Sequence, residues 1–434
     1  MLYYSTNKTA VLASLEEAVI KGLASDKGLF MPERINTLPD SFFDKICSLS
    51  FQEIAYEVAN AFFGEDVEAD KLKEIVYDTL SFDTPIVKVK DNIYSLELYH
   101  GPTLAFKDVG ARFMARLLGY FISKEAQKET VNVLVATSGD TGSAVANGFL
   151  GVSGINVFVL YPKGKVSPIQ ECQFTTLGKN ITSLEIDGTF DDCQALVKAA
   201  FMDVELNAKH KLTSANSINV ARFLPQAFYY FYAYAQIRKI EKDKKIVMCV
   251  PSGNFGNITA GLFGKRMGLA INHFIASNNS NDIFYQYLQT GEYNPRPSVS
   301  TLANAMDVGD PSNFARVIDL YKNSIEAIRK DISGAKYSDI QINNAIKACY
   351  KETGYLLDPH GACGYLALEN ELKADEVGIF LETAHPAKFL ETVEKSIGEK
   401  ITIPEKLQAF MKGTKKSIAL SKEFSAFKAY LMKI

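Results

Sequence analysis

The spacing of apolar and polar positions changes near residue 80. Over residues 12–80 apolar side chains recur at helical intervals, as from Ser14 to Leu23 and from Phe51 to Phe63, which predicts helices broken by a turn-rich stretch from Ala24 to Asp40. Beyond it, short β-branched runs are each followed by a polar turn and often a helical period. Val131–Ala136, Val157–Tyr161, Lys245–Val250 and Val377–Leu381 are runs of this kind and predict strands. Runs that are apolar throughout, rather than alternating, belong to parallel sheets buried on both faces. The expected class is therefore α/β, with parallel-rich sheets, helices on both faces and a helical N-terminal region. The expected divisions are residues 1–85 for that region, 86–130 with 225–434 for a large α/β domain, and 131–224 for a smaller one.

Composition narrows the function classes. The chain has 434 residues and a formal net charge of -3, so no broad basic field attracts nucleic acid. No run approaches the roughly 18 apolar residues of a membrane span, and the N-terminus lacks the basic and apolar regions of a signal peptide. The six cysteines have no C-x-x-C pair and no zinc-like spacing with histidine. The expectation is a cytoplasmic protein acting on a small molecule, without metal, nucleic acid or membrane, as a monomer or homodimer.

Candidate chemistry clusters in five turns. In His100–Gly110, Lys107 follows the apolar pair Ala105–Phe106 at a predicted helix start. Burial and the helix dipole both favour the neutral amine there, the form that attacks an aldehyde to make an imine. Taken alone, Lys107 reads as a surface lysine in a first turn; it is the surrounding pattern that favours the imine-forming reading. Ser252-Gly253-Asn254-Phe255-Gly256-Asn257 joins a strand to a helix, where glycines let backbone amides approach an anion. Three or four such hydrogen bonds at ~1.5–3 kcal/mol each outweigh a helix dipole of up to ~2 kcal/mol. The loop fits neither G-x-G-x-x-G nor the P-loop pattern. Thr137-Ser138-Gly139-Asp140-Thr141 crowds hydroxyls and amides at another helix start, suited to a carboxylate or to simple capping. Asn216, Ser217, Asn219 and Arg222 supply neutral donors and one guanidinium, the fork that suits phosphate or a solvated helix end. Thr383 follows an apolar strand, and His385, beside Pro386, reads as structural.

Together these segments resemble the threonine synthase family of fold type II pyridoxal-phosphate (PLP) enzymes, which also includes tryptophan synthase β and the threonine dehydratases. The resemblance rests on Gly22–Glu33, His100–Asp108, Ser252–Asn257, Asn304–Phe314 and Asp358–Ala362, in that order along nearly the whole chain. It implies that Lys107 holds the cofactor, that Gly253, Asn254, Phe255, Gly256 and Asn257 cradle its phosphate, and that Thr383 meets the pyridine nitrogen. It implies further that Thr137, Ser138 and Thr141 bind the substrate carboxylate, and Asn216, Ser217 and Arg222 the phosphate of O-phospho-L-homoserine. Residues 86–130 and 225–434 would then form the PLP-binding domain and 131–224 the substrate domain. Asp140 departs from the pattern, since many relatives carry Asn there. A carboxylate beside the cofactor's phenolic oxygen would repel it if both were ionised. The implied reaction is a γ-replacement yielding L-threonine and phosphate, with Lys107 moving the protons. A serine/threonine dehydratase-type lyase and a non-catalytic relative remain as alternatives; the Asn216–Arg222 cluster and an intact Lys107 respectively speak against them.

Overall fold

The continuous apolar runs become buried strands of two sheets in the computed structural model, which describes residues 1–124 and 129–434. One sheet has the order Ile332–Lys336, His273–Asn278, Lys245–Pro251, Glu376–Glu382, Ile93–Glu97, Ile86–Lys90. Its neighbours are parallel except for the last pair, an antiparallel hairpin. The other runs Ile418–Ser421, Ile181–Asp187, Ile155–Pro162, Val131–Ala136, Lys211–Ser214, all parallel. Val131–Ala136 is buried along its whole length and Lys245–Pro251 everywhere but its first residue, the signature of sheets covered on both faces.

The chain forms two compact units. The first comprises Met1, Pro32–Phe106 and Phe223–Thr402 and contains the six-stranded sheet; the second comprises Leu2–Met31, Lys107–Arg222 and Ile403–Ile434 and contains the five-stranded one. This division differs from the expected boundaries at both ends of the chain and at Lys107. The last segment joins the second unit because Ile418–Ser421 pairs in parallel with Ile181–Asp187, while Phe427 and Leu431 enter that sheet's core. The first segment joins it because the Val19 carbonyl accepts from Asn219 and Thr213.

Helices occur where the early spacing predicts them. Leu15–Lys21 and Phe51–Phe63 each start from a capping box, Ser14 with Glu17 and Ser50 with Glu53. Phe51–Phe63 buries Ile54, Ala55, Val58, Ala59 and Phe62, three and four residues apart. Among the described residues no helix is long and apolar enough to cross a membrane.

Candidate functional site

In the first unit the loop after Lys245–Pro251 is shaped by contacts that engage its carbonyls. Gly253 packs against the chain: a Cβ there would meet the Ala305 carbonyl oxygen at 2.7 Å and the Met306 Cα at 2.8 Å. Asn254 accepts from the Ser312 amide at 2.6 Å through Oδ1 and from the Asn313 amide at 3.3 Å through its carbonyl. The Ser252 carbonyl accepts from Asn278 Nδ2 at 2.7 Å. Phe255 adopts φ 64°, ψ 4°, a conformation that costs a bulky residue roughly 1–3 kcal/mol. Its buried ring, 4.7 Å from that of Phe284, holds it there.

The helix Gly256–Arg266 that follows has no side-chain cap, so the first-turn amides of Gly256 and Asn257 have no partner within the helix. Tyr230 donates to Oδ1 of Asn257 at 2.7 Å and thereby orients the side-chain amide. Nδ2 of Asn257 is buried with no acceptor among the described residues. An unmet buried donor costs roughly 1–3 kcal/mol, which a bound anion would remove. Close-packed glycine, an uncapped helix start and an orphan amide fit the phosphate of a cofactor such as PLP.

Thr383 lies just past Glu376–Glu382, the strand next to Lys245–Pro251 and parallel to it, so both turns sit at carboxyl ends of adjacent strands. Its carbonyl accepts from the Phe106 amide at 2.8 Å, Ala384 bridges to Ala105, and the His385 amide donates to the Leu104 carbonyl at 3.1 Å. Tyr229 donates to the Phe106 carbonyl at 2.5 Å, and the buried Lys388 ammonium to that of Thr103 at 2.8 Å. The residues before Lys107 are thus clamped beside Thr383. His385 caps the next turn through Nδ1, which accepts from Ala387 at 3.1 Å. Burial, reinforced by His100, pushes its pKa down to about 4, so the ring is neutral at pH 7.

In the second unit Lys107 is the first residue of the helix Lys107–Lys124 and is partly buried. One turn on, Gly110 admits the backbone of Arg222: a Cβ would stand 2.4 Å from the Arg222 carbonyl oxygen. Arg222 is 2% exposed and donates to the Ala215 carbonyl, so it is no solvated helix end. Asn216 ties neighbouring strand ends together, donating to the Ala136 carbonyl at 3.2 Å, and Ser217 is half-buried beside it.

The turn after Val131–Ala136 is organised by its first side chain. Thr137, expected on the substrate carboxylate, uses its hydroxyl to build the turn. The oxygen accepts from the amides of Gly139 at 2.9 Å and Gly142 at 2.8 Å and donates to the Gly139 carbonyl at 3.1 Å. One proton and two lone pairs are then all engaged. Ser138 and Thr141, both half-buried, have hydroxyls that bond to none of the described residues. Gly139, at φ 149°, allows Gln170 to cross the turn, and Gln170 Nε2 donates to Oδ1 of Asp140 at 2.8 Å. Asp140 is therefore held by a side chain that sequence spacing did not reveal. Tyr229, Tyr230 and Gln170 were also missed as functional supports. Each acts across a long sequence separation, and no local motif signals it.

The chain matches known families along its length. Residues 79–381 match the pyridoxal-phosphate dependent enzymes, residues 2–80 the threonine synthase N terminus, and residues 361–431 the threonine synthase C-terminal region. It is 45% identical over 433 residues to threonine synthase of Haemophilus influenzae, covering 100% of both chains. It is similar to the crystal structure of threonine synthase from Escherichia coli, with TM-score 0.93 and 41% identity over 100% of each chain. The PLP-bound threonine synthase from Brucella melitensis gives TM-score 0.93 at 33% identity, over 100% of this chain and 99% of that one.

Proposed function

The chain belongs to the threonine synthase family of PLP-dependent enzymes, and we propose that it converts O-phospho-L-homoserine and water to L-threonine and phosphate using Lys107. Its cofactor is PLP, which when bound supplies an electron sink for negative charge at the substrate carbons. The full-length likeness to threonine synthases favours neither the dehydratase-type nor the non-catalytic reading.

Lys107 is the residue that would hold the cofactor, with the amides of the 253–257 loop and Nδ2 of Asn257 on its phosphate. The Thr383 hydroxyl, a neutral partner, would leave the ring nitrogen uncharged. Ser138 and Thr141 offer the two uncommitted hydroxyls for the substrate carboxylate, with Thr137 shaping the turn that presents them. Asn216, Ser217 and Arg222 would bind the ester phosphate and receive it as it leaves Cγ. The Lys107 amine, free once the substrate is bound, would take the proton at Cα and, after releasing it, one at Cβ. One amine serving successive transfers works best with a pKa near the working pH.

The observation that carries this assignment is the clamp between Phe106 and Thr383, which anchors the residue preceding the lysine to the residue proposed for the ring nitrogen. The test is phosphate release from O-phosphohomoserine with concurrent threonine detection. Phosphate without threonine, or neither, would refute it. Among the described residues none of the six cysteines forms a disulfide, which supports a reducing cytoplasm as the site of action.

A further inference from the structure

Glu382 ends the strand that carries Thr383 and is fully buried, as is Asp358, the N-cap of the helix Pro359–Glu371. Oε1 of Glu382 accepts from the Asp358 amide at 2.5 Å. Oδ1 of Asp358 accepts from the His360 amide at 2.7 Å and faces His360 Nδ1 at 2.5 Å. His360 Nε2 accepts from the Ala305 amide at 3.1 Å, so the ring proton sits on Nδ1 and is donated to Asp358. One oxygen on each carboxyl remains, Oδ2 of Asp358 and Oε2 of Glu382, buried and without a partner among the described residues. Gly361 makes the room for this arrangement, since a Cβ there would stand 1.5 Å from Glu382 Oε2.

Two ionised carboxylates in this setting would repel each other with no donor between them. One proton held between the two orphan oxygens satisfies both. Burial, and then the charge on Asp358, push the Glu382 carboxyl far above its usual range. The neighbouring ionisable groups are otherwise engaged. Glu97, opposite Glu382 on the adjacent strand, feels desolvation most, yet hydrogen bonds from His100, Tyr99 and Tyr355 hold it below the usual range. Tyr355 donates to Ser95 at 2.8 Å and Glu97 at 3.0 Å. His385 is occupied as a cap and Lys388 on the Thr103 carbonyl.

We propose that Glu382 and Asp358 share one proton and that the pair is a positioning element of the cofactor site, joining Thr383 through His360 to the Ala305 turn against which Gly253 packs. The positioning half rests on the reading that Thr383 and Gly253 contact PLP; the shared proton does not. Infrared difference spectra of the full-length protein at neutral pH, wild type minus Glu382→Gln, should show a protonated-carboxyl band that shifts in heavy water. The band should also vanish in Asp358→Asn, whose amide can donate to an ionised Glu382. Absence of the band in wild type, or its persistence in either variant, overturns the shared proton. In PLP titrations Glu382→Gln, which can still donate to Asp358, should stay within about three-fold of wild type, while Glu382→Ala loses roughly 10–100-fold by orphaning buried groups. Wild-type affinity in Glu382→Ala overturns the positioning role. If that variant does not fold, Glu382→Asp decides instead: it shortens the reach to the Asp358 amide, and affinity equal to that of Glu382→Gln overturns the role. Wild type failing to bind PLP would sink the functional reading, while the infrared result would still decide the pair.

Discussion

The polar turns of the two units are built from different materials. In the first unit the 252–257 loop is backbone, fixed by Asn254, Asn278 and a glycine pressed against Ala305, with a single orphan side-chain donor at Asn257. In the second unit the turns present side chains: the Lys107 amine, the hydroxyls of Ser138 and Thr141, and a buried Arg222. Backbone donors keep their positions only if the fold keeps theirs, so they suit a group that stays. Side chains can reorient as a small molecule arrives, changes and leaves. Under the proposed function the loop would suit a resident cofactor and the hydroxyls and guanidinium a passing substrate, with Lys107 serving both.

That contrast can be broken by mutation, and the largest effect is expected at Lys107. Lys107→Ala should lower kcat by at least about 10³-fold, since the covalent anchor and proton carrier are lost together. Retained turnover in a phosphate-release assay would remove the lysine from the mechanism. Gly253→Ala comes next: the Ala305 oxygen at 2.7 Å is backbone and cannot yield easily. Overpacking of this kind costs about 1–3 kcal/mol, to be read as weaker PLP binding with substrate KM little changed at saturating cofactor.

Thr137→Val should act on stability, because it strips the buried amides of Gly139 and Gly142 of their acceptor. The expected loss is about 2–3 kcal/mol in denaturant unfolding. A rise in KM with unchanged stability would instead return Thr137 to the substrate carboxylate. Arg222→Ala should raise KM for O-phosphohomoserine by an amount corresponding to about 2 kcal/mol while PLP affinity holds. Loss of PLP affinity would erase the proposed division of labour.

The smallest effect concerns the N-terminal segment of the second unit. Desolvation pushes the Asp26 carboxyl up, but hydrogen bonds from Ser5, Gly28, Ala10 and Thr9 outweigh it and hold it well below the usual aspartate range. A depressed carboxylate contributes stability above its unfolded pKa and loses it as pH falls toward the folded value. Asp26→Asn should therefore lower Tm near pH 7, with the gap to wild type beginning to narrow only below about pH 4 and continuing to narrow as the pH falls further. A gap independent of pH would mean that the charge is not what matters.

Several of these features were legible along the chain because their causes are local. Lys107 at a helix start, the strand–loop–helix around Gly253 and the helices after Ser14 and Ser50 depend on neighbours within a few residues. The same local reading did not reveal the bonds Thr137 makes within its own turn, because a hydroxyl in a polar turn looks identical whether it faces a ligand or its own backbone. It also left Ile403–Ile434 with the larger domain, since nothing within Ile418–Ser421 names the strand it will join.

Residue order alone settled the alternation of strands and helices, the family to which the chain belongs and the lysine to single out, since periodicity and motif spacing are written in consecutive residues. Which donors remain unmet was decided only in three dimensions. Tyr230 reaches Asn257 across 27 residues, Gln170 reaches Asp140 across 30, and Glu382 meets Asp358 across 24. Whether a buried polar atom is satisfied depends on every group that packing brings within about 3 Å of it, and packing is a property of the whole fold.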